Sequence, residues 1–144
     1  VVPVTFTTSR DPHMDSLNPT LDAWAPRMLS VLRIMAALVL LQYPFMKLLS
    51  FPAAVNFAPF GSLPWIAAVI EIVTGLLILV GFFTRPAAFL LAGTMAAAYF
   101  IGHAPRGFYP VQNGGNLPIM FCFTFLYLVF AGPWSVDAQR SSNP

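Results

Sequence analysis

Four apolar segments, divided by short stretches of proline, glycine and asparagine, take up most of this chain and leave it almost no charge with which to face water. Lys, Arg, Asp and Glu make up 8% of its residues, where a soluble domain carries roughly 25%. The deficit is filled by apolar side chains, at 58% of the total. Such a surface aggregates in water, and lipid is the solvent that suits it. The expected fold class is therefore an all-α membrane protein, an up-down bundle of four transmembrane helices.

The segments divide the chain as follows. Residues 1–27 form a polar arm with four prolines, Pro3, Pro12, Pro19 and Pro26, expected to be extended, with an interfacial stretch around Leu21 to Trp24. Residues 28–138 form the transmembrane domain, with spans at about 28–49, 64–83, 86–102 and 117–131. Residues 139–144 are a short polar tail. Pro44 is expected to loosen the end of the first span. Asn116 is expected to cap the fourth.

With four spans, both termini and the turn after span two share one side of the membrane. That side holds Arg10, Arg27, Arg33, Arg85 and Arg140; the other holds Lys47 and Arg106. The asymmetry predicts cytoplasmic N- and C-termini. Arg33 and Arg85 are expected to meet headgroups, and Trp65 and Trp134 to sit in the interfacial aromatic belt.

Each span carries a stripe of small or polar residues at steps of three or four, expected to face inward. The stripes are Arg33, Ala36, Leu40, Tyr43 and Lys47; Ala67, Glu71, Gly75 and Ile78; Ala88, Ala92, Ala96, Tyr99 and His103; and Met120, Thr124, Tyr127 and Ala131.

Several chemistries are excluded. A net charge of +2 without a Lys/Arg cluster gives no footing for nucleic acid. The single cysteine, Cys122, permits neither an internal disulfide nor a Cys-x-x-Cys pair. His13 and His103 are too far apart in sequence to suggest a two-histidine haem, no metal-ligand set stands out, and no covalently bound cofactor is expected. No secretory signal is visible in the first 27 residues.

Glu71 is the most informative side chain, because a carboxylate within a span must be paired, protonated or turned to a polar cavity. The topology brings Lys47, His103, Tyr43, Tyr99 and Asn113, the last in the Asn113-Gly-Gly-Asn116 turn, to a similar depth. Three readings stay open: a Glu71–Lys47 lock that sets helix register, a ligand site or proton relay, and a pairing with another subunit. A quinone or another small polar ligand is what such a site would take, a quinone because its carbonyls need hydrogen-bond donors beside an aromatic wall. No residue can be named as catalytic.

Four stretches resemble the DoxX family of small four-helix membrane proteins. They are Leu32-Arg33-Ile34 with Lys47-Leu48; the run from Glu71 through Gly75, Gly81, Thr84-Arg85-Pro86 to Ala88; Met95 to Phe100 with His103 and Asn113-Gly114-Gly115; and Gly132-Pro133-Trp134-Ser135-Val-Asp137. The resemblance implies membership in membrane-bound oxidoreductase assemblies, similar proteins including the small subunit of a thiosulfate:quinone oxidoreductase. By position, Lys47, Glu71, His103 and Asn113 match recurrent polar residues of the family. Two positions depart from it: Gln42-Tyr43-Pro44 stands where a histidine-glycine pair is frequent, and Asn116 where an acid is frequent. Both remove groups that could bind or transfer protons.

The expected function is an accessory subunit of a larger redox or energy-converting complex, not catalytic alone, in the inner (cytoplasmic) membrane of a bacterium. Its expected partners are the lipid bilayer and other subunits. The alternative is a quinone-linked oxidoreductase subunit using Glu71, Lys47 and His103; a small-solute transporter is the third class.

Overall fold

In the computed structural model, residues 12–53 and 56–132 are described; for 12–18 and Asp22 only the helical backbone is. The regular elements among the described residues are all helical, with no strand among them. Helix α1 spans Pro12–Leu49, α2 Leu63–Val80 and α3 Thr84–Ala97. α3 runs on through a π-helical segment, Ala98–His103, and a 3-10 turn, Ala104–Arg106. A single turn, α4 (Pro110–Asn113), precedes α5 (Asn116–Ala131).

Among the described residues, three stretches are long and apolar enough to cross a membrane: Pro19–Leu49, Leu63–Val80 and Thr84–Arg106. α5, with 16 residues, is about 24 Å long at ~1.5 Å per residue. α1 packs on α2, α2 on α3, and α3 on α5.

The expected extended arm is corrected by α1, which starts at Pro12 and carries Pro19, Pro26 and Pro44 inside it. Each proline removes one N–H from the ladder without stopping the helix. No glycine lies between Pro12 and Leu49 to end it, and Ser30 Oγ donates to the Pro26 carbonyl at 3.1 Å. Pro44 likewise lies within helix that continues to Leu49. Residues 1–11 and 133–144, including Trp134 and the C-terminal tail, lie outside the described residues.

Small residues set the helix spacing. Ala37, Ala68 and Ala88 are fully buried, around Leu40, Ile78, Leu91, Phe125 and Leu128. Gly75 lets α1 approach α2: a β-carbon there would lie 2.9 Å from Leu41 Cδ2. The inward stripe expected on the fourth span is corrected. Met120 and Tyr127 are exposed, and α5 buries Phe121, Phe125 and Leu128 instead. The facing surface of α3 is Ala87, Ala88, Leu91, Ala92 and Met95, so small residues on one helix receive large ones on the other. Thr124 satisfies its hydroxyl on its own helix, at 2.8 Å from Met120 O, and gains nothing by facing inward.

The α2–α3 turn is tight. Gly81, at φ 82°, ends α2, and its N–H and that of Phe82 both reach Leu77 O, at 3.0 and 2.9 Å, closing a Schellman motif. Arg33 lies against Gly81 and Arg85 against Gly132, the residues that follow α2 and α5. The expected headgroup anchors thus also meet the negative ends of two helix dipoles.

Candidate functional site

Lys47 sits in the last turn of α1 and Glu71 midway along α2. Lys47 Nζ lies 3.5 Å from Glu71 Oε2, with the lysine side chain 38% exposed and the glutamate 3%. The pair is long for a charge-assisted bond, which is usually about 2.7–2.9 Å. Among the described residues, Lys47 is the only partner of that carboxylate. A loose pair leaves carboxylate capacity that a third group can take up.

Beside the pair is a cavity of about 210 Å³, lined by Tyr43, Lys47, Glu71 and His103 and walled by Leu40, Met95, Ala98, Gly114, Leu117, Pro118 and Phe121. It is smaller than the ~300–1,000 Å³ of pockets for drug-sized ligands. One ring or a small polar group fits, with the rest of a larger ligand lying outside.

The π-helical segment carries Tyr99 and His103 at this end of α3. Such segments re-aim side chains and are frequent at functional sites. His103 Nδ1 lies 3.0 Å from the Asn113 carbonyl oxygen. A carbonyl only accepts, so Nδ1 carries the proton, and in a neutral ring Nε2 is left as an acceptor.

Asn113 and Tyr99 stand behind the cavity wall. The buried Asn113 amide donates from Nδ2 to Gly107 O at 2.8 Å and accepts from the Gly115 N–H at Oδ1, 2.7 Å. It thereby ties the connection between α3 and α5 to itself and, through its carbonyl, to His103. The Tyr99 ring lies on Gly115, where a β-carbon would come within 2.5 Å of Cε2. The expected Asn116 cap is corrected: Asn116 is the first residue of α5, and Gly115 occupies the N-cap without a side-chain bond. The Asn113 side chain already holds the Gly115 N–H, so the polar work of the turn falls three residues earlier than expected.

The apolar half of the cavity was not anticipated. Leu117 and Pro118 follow the Asn113-Gly-Gly-Asn116 turn directly, and their position beside a polar turn is the only signal that could have marked them. Phe121 was hidden by the assumption that small residues face inward.

The sequence model of the DoxX family matches residues 28–104, which carry Lys47, Glu71 and His103. An uncharacterized protein of Haemophilus influenzae is 41% identical over 118 residues, covering 78% of this chain and 88% of that protein. The inner membrane protein YphA of Escherichia coli is 30% identical over 126 residues, covering 80% of this chain and 90% of YphA. No solved structure gives a significant match.

Proposed function

The chain belongs to the DoxX family, and from that premise we propose that it is an accessory subunit of a larger redox or energy-converting membrane complex, not catalytic alone. It is an integral membrane protein. In this reading it crosses the bacterial inner membrane four times, α5 being the fourth span, with both termini in the cytoplasm.

The observation that carries the accessory role is the length of α1. Its 38 residues span about 57 Å, against a hydrocarbon core of about 30 Å. Arg33 lies level with Gly81 at the end of α2, so the helix N-terminal to Met28 runs past the end of α2. Leu21, Trp24 and Met28 are exposed along this extension. A helical extension with exposed apolar residues and no counterpart among the described residues suits docking to another subunit. Purification from the native membrane in mild detergent tests this. Partner subunits should co-purify with the full chain and be lost when residues 1–27 are removed, provided the truncated chain still folds and inserts.

The cavity favours a second reading. Lys47 can donate to one quinone oxygen and Glu71 can exchange a proton with it, beside Tyr43 and Phe121. A quinone ring bound there would need its electrons from another subunit, because this chain offers no dithiol and no cluster ligands among its residues. Extraction of quinone from the purified complex, reduced in amount by Glu71→Gln, would support it.

A further inference from the structure

The cavity beside Lys47 and Glu71 presents more hydrogen-bond acceptors than its walls satisfy. Glu71 Oε2 faces Lys47 Nζ at 3.5 Å, and Oε1 has no partner among the described residues. Oε1 is not sealed in protein either. Among the described residues, the buried side-chain atoms without a partner are Arg33 Nε and Thr84 Oγ1, both at the far end of the bundle. The glutamate side chain is only 3% exposed, so the opening that reaches Oε1 is the cavity it lines. His103 supplies a second acceptor. With Nδ1 on the Asn113 carbonyl, a neutral ring carries a lone pair and no proton at Nε2. Nε2 has no partner among the described residues and is likewise not sealed, and the ring lines the same cavity.

These acceptors decide which polar group fits. An acceptor covered without a donor costs free energy. A carbonyl oxygen accepts from the Lys47 ammonium and leaves Glu71 Oε1 and His103 Nε2 bare. A cation meets the like charge of Lys47. A hydroxyl satisfies both sides, because it accepts from Lys47 and donates to Glu71 or His103. The rest of the wall, including Leu40, Met95, Leu117 and Phe121, is apolar and suits a ring.

The mouth shows where such a molecule comes from. α1 packs on α2 and α5 on α3, while α1 and α5 touch only lightly. The exposed residues among the cavity's lining include Tyr43 of α1 and Leu117 of α5, so the cavity opens at that seam. Arg33 lies level with the end of α2, and Tyr43 is ten residues further on, about 15 Å along α1. That depth is within a hydrocarbon core of about 30 Å, so the mouth faces acyl chains. We propose that the cavity takes, from the bilayer, a ligand with a hydroxylated ring, and prefers it to the corresponding carbonyl compound. This assignment rests on the reading of the cavity as a ligand site and narrows it to one chemical class. For a quinone-type ligand it selects the dihydroxy form over the dicarbonyl form.

The test uses the full chain in neutral detergent micelles, with α-naphthol as the hydroxyl probe and α-tetralone as a ketone of the same ring size. Calorimetric titration gives both affinities, referred to the concentration in the micelle so that partitioning cancels. α-Naphthol should bind about tenfold more tightly, the value of one hydrogen bond to a charged group. Glu71→Gln should weaken α-naphthol about tenfold and leave α-tetralone unchanged or tighter, since the amide adds a donor; a merely structural loss would weaken both. Ala98→Phe, which fills the cavity from its wall, should abolish both. If Glu71→Gln does not fold, the parent and Ala98→Phe still decide. Equal binding of the two probes, or tighter α-tetralone, with both lost in Ala98→Phe, would overturn the hydroxyl assignment and leave the ligand site standing. Tighter binding of protonated naphthylmethylamine would assign the site to a cation and overturn it too. Binding of neither probe, or binding indifferent to Ala98→Phe, would overturn the ligand-site reading and this assignment together.

Discussion

Lys47 of α1 and Glu71 of α2 are 3.5 Å apart across the first helix interface, one side chain partly in solvent and the other almost wholly enclosed. The asymmetry sets what each substitution costs. Lys47→Met strands the carboxylate, whereas Glu71→Gln leaves a lysine that can still reach water. Because the lysine is more than a third exposed, the pair is worth less than a fully buried one. We expect Lys47→Met to destabilise by about 1–2 kcal/mol and Glu71→Gln by less. The double variant should be more stable than the sum of the single losses predicts. Thermal unfolding in detergent of the four members of the cycle measures this; strict additivity would mean that the two groups do not interact.

Gly115 should tolerate no side chain, because Tyr99 and the Asn113 carboxamide occupy the space a β-carbon would need. Gly115→Ala is expected to cost about 1–3 kcal/mol, as overpacking does. Gly93→Ala, where nothing lies within 4 Å, should be neutral or stabilise α3 by up to about 1 kcal/mol. Melting temperatures of the two variants should therefore move in opposite directions or differ clearly in size.

The helices were legible because hydrophobic runs and their proline and glycine ends are local properties. Ser62 before Pro64, and Gly81 before Arg85-Pro86, mark the ends of α2 and the start of α3 to within about three residues of the expected bounds. Lys47, Glu71, Tyr43 and His103 could be placed together because the topology fixes depth. Two things could not be read. Which face of α5 turns inward depends on the small surface of α3 opposite it, and that complementarity belongs to the pair of helices. The π-helical register at Ala98–His103 changes which side chains of α3 face the cavity, and no residue type in that stretch announces it.

The orientation can be tested with accessibility. With Cys122 replaced by alanine and a single cysteine placed at Ser141, a membrane-impermeant thiol reagent should label only from the cytoplasmic side. The basic residues Arg10, Arg27, Arg33, Arg85 and Arg140 would then lie on the side the charge rule assigns them. Labelling from outside alone would place both termini outside under four spans, and labelling of opposite sides at the two ends would mean that α5 does not cross.

His103 is held by the Asn113 carbonyl, so Asn113 should act on the cavity through the histidine. Asn113→Ala removes the side-chain ties to Gly107 and Gly115 and should destabilise by about 1–3 kcal/mol. His103→Gln, at the cavity wall, should cost less in stability. If the cavity holds a quinone, His103→Gln should also lower the quinone recovered with the purified protein. Equal quinone recovery from His103→Gln, Glu71→Gln and the parent would exclude the cavity as its site.

The central claim is that this chain serves a complex and does not turn over substrate alone. The direct measurement is redox activity of the purified full chain in detergent, supplied with a soluble quinone and small sulfur donors. The account predicts no turnover above the protein-free rate from the isolated chain. Turnover sustained by the isolated chain, and abolished in a folded Glu71→Gln variant, would contradict it and make the protein an enzyme in its own right.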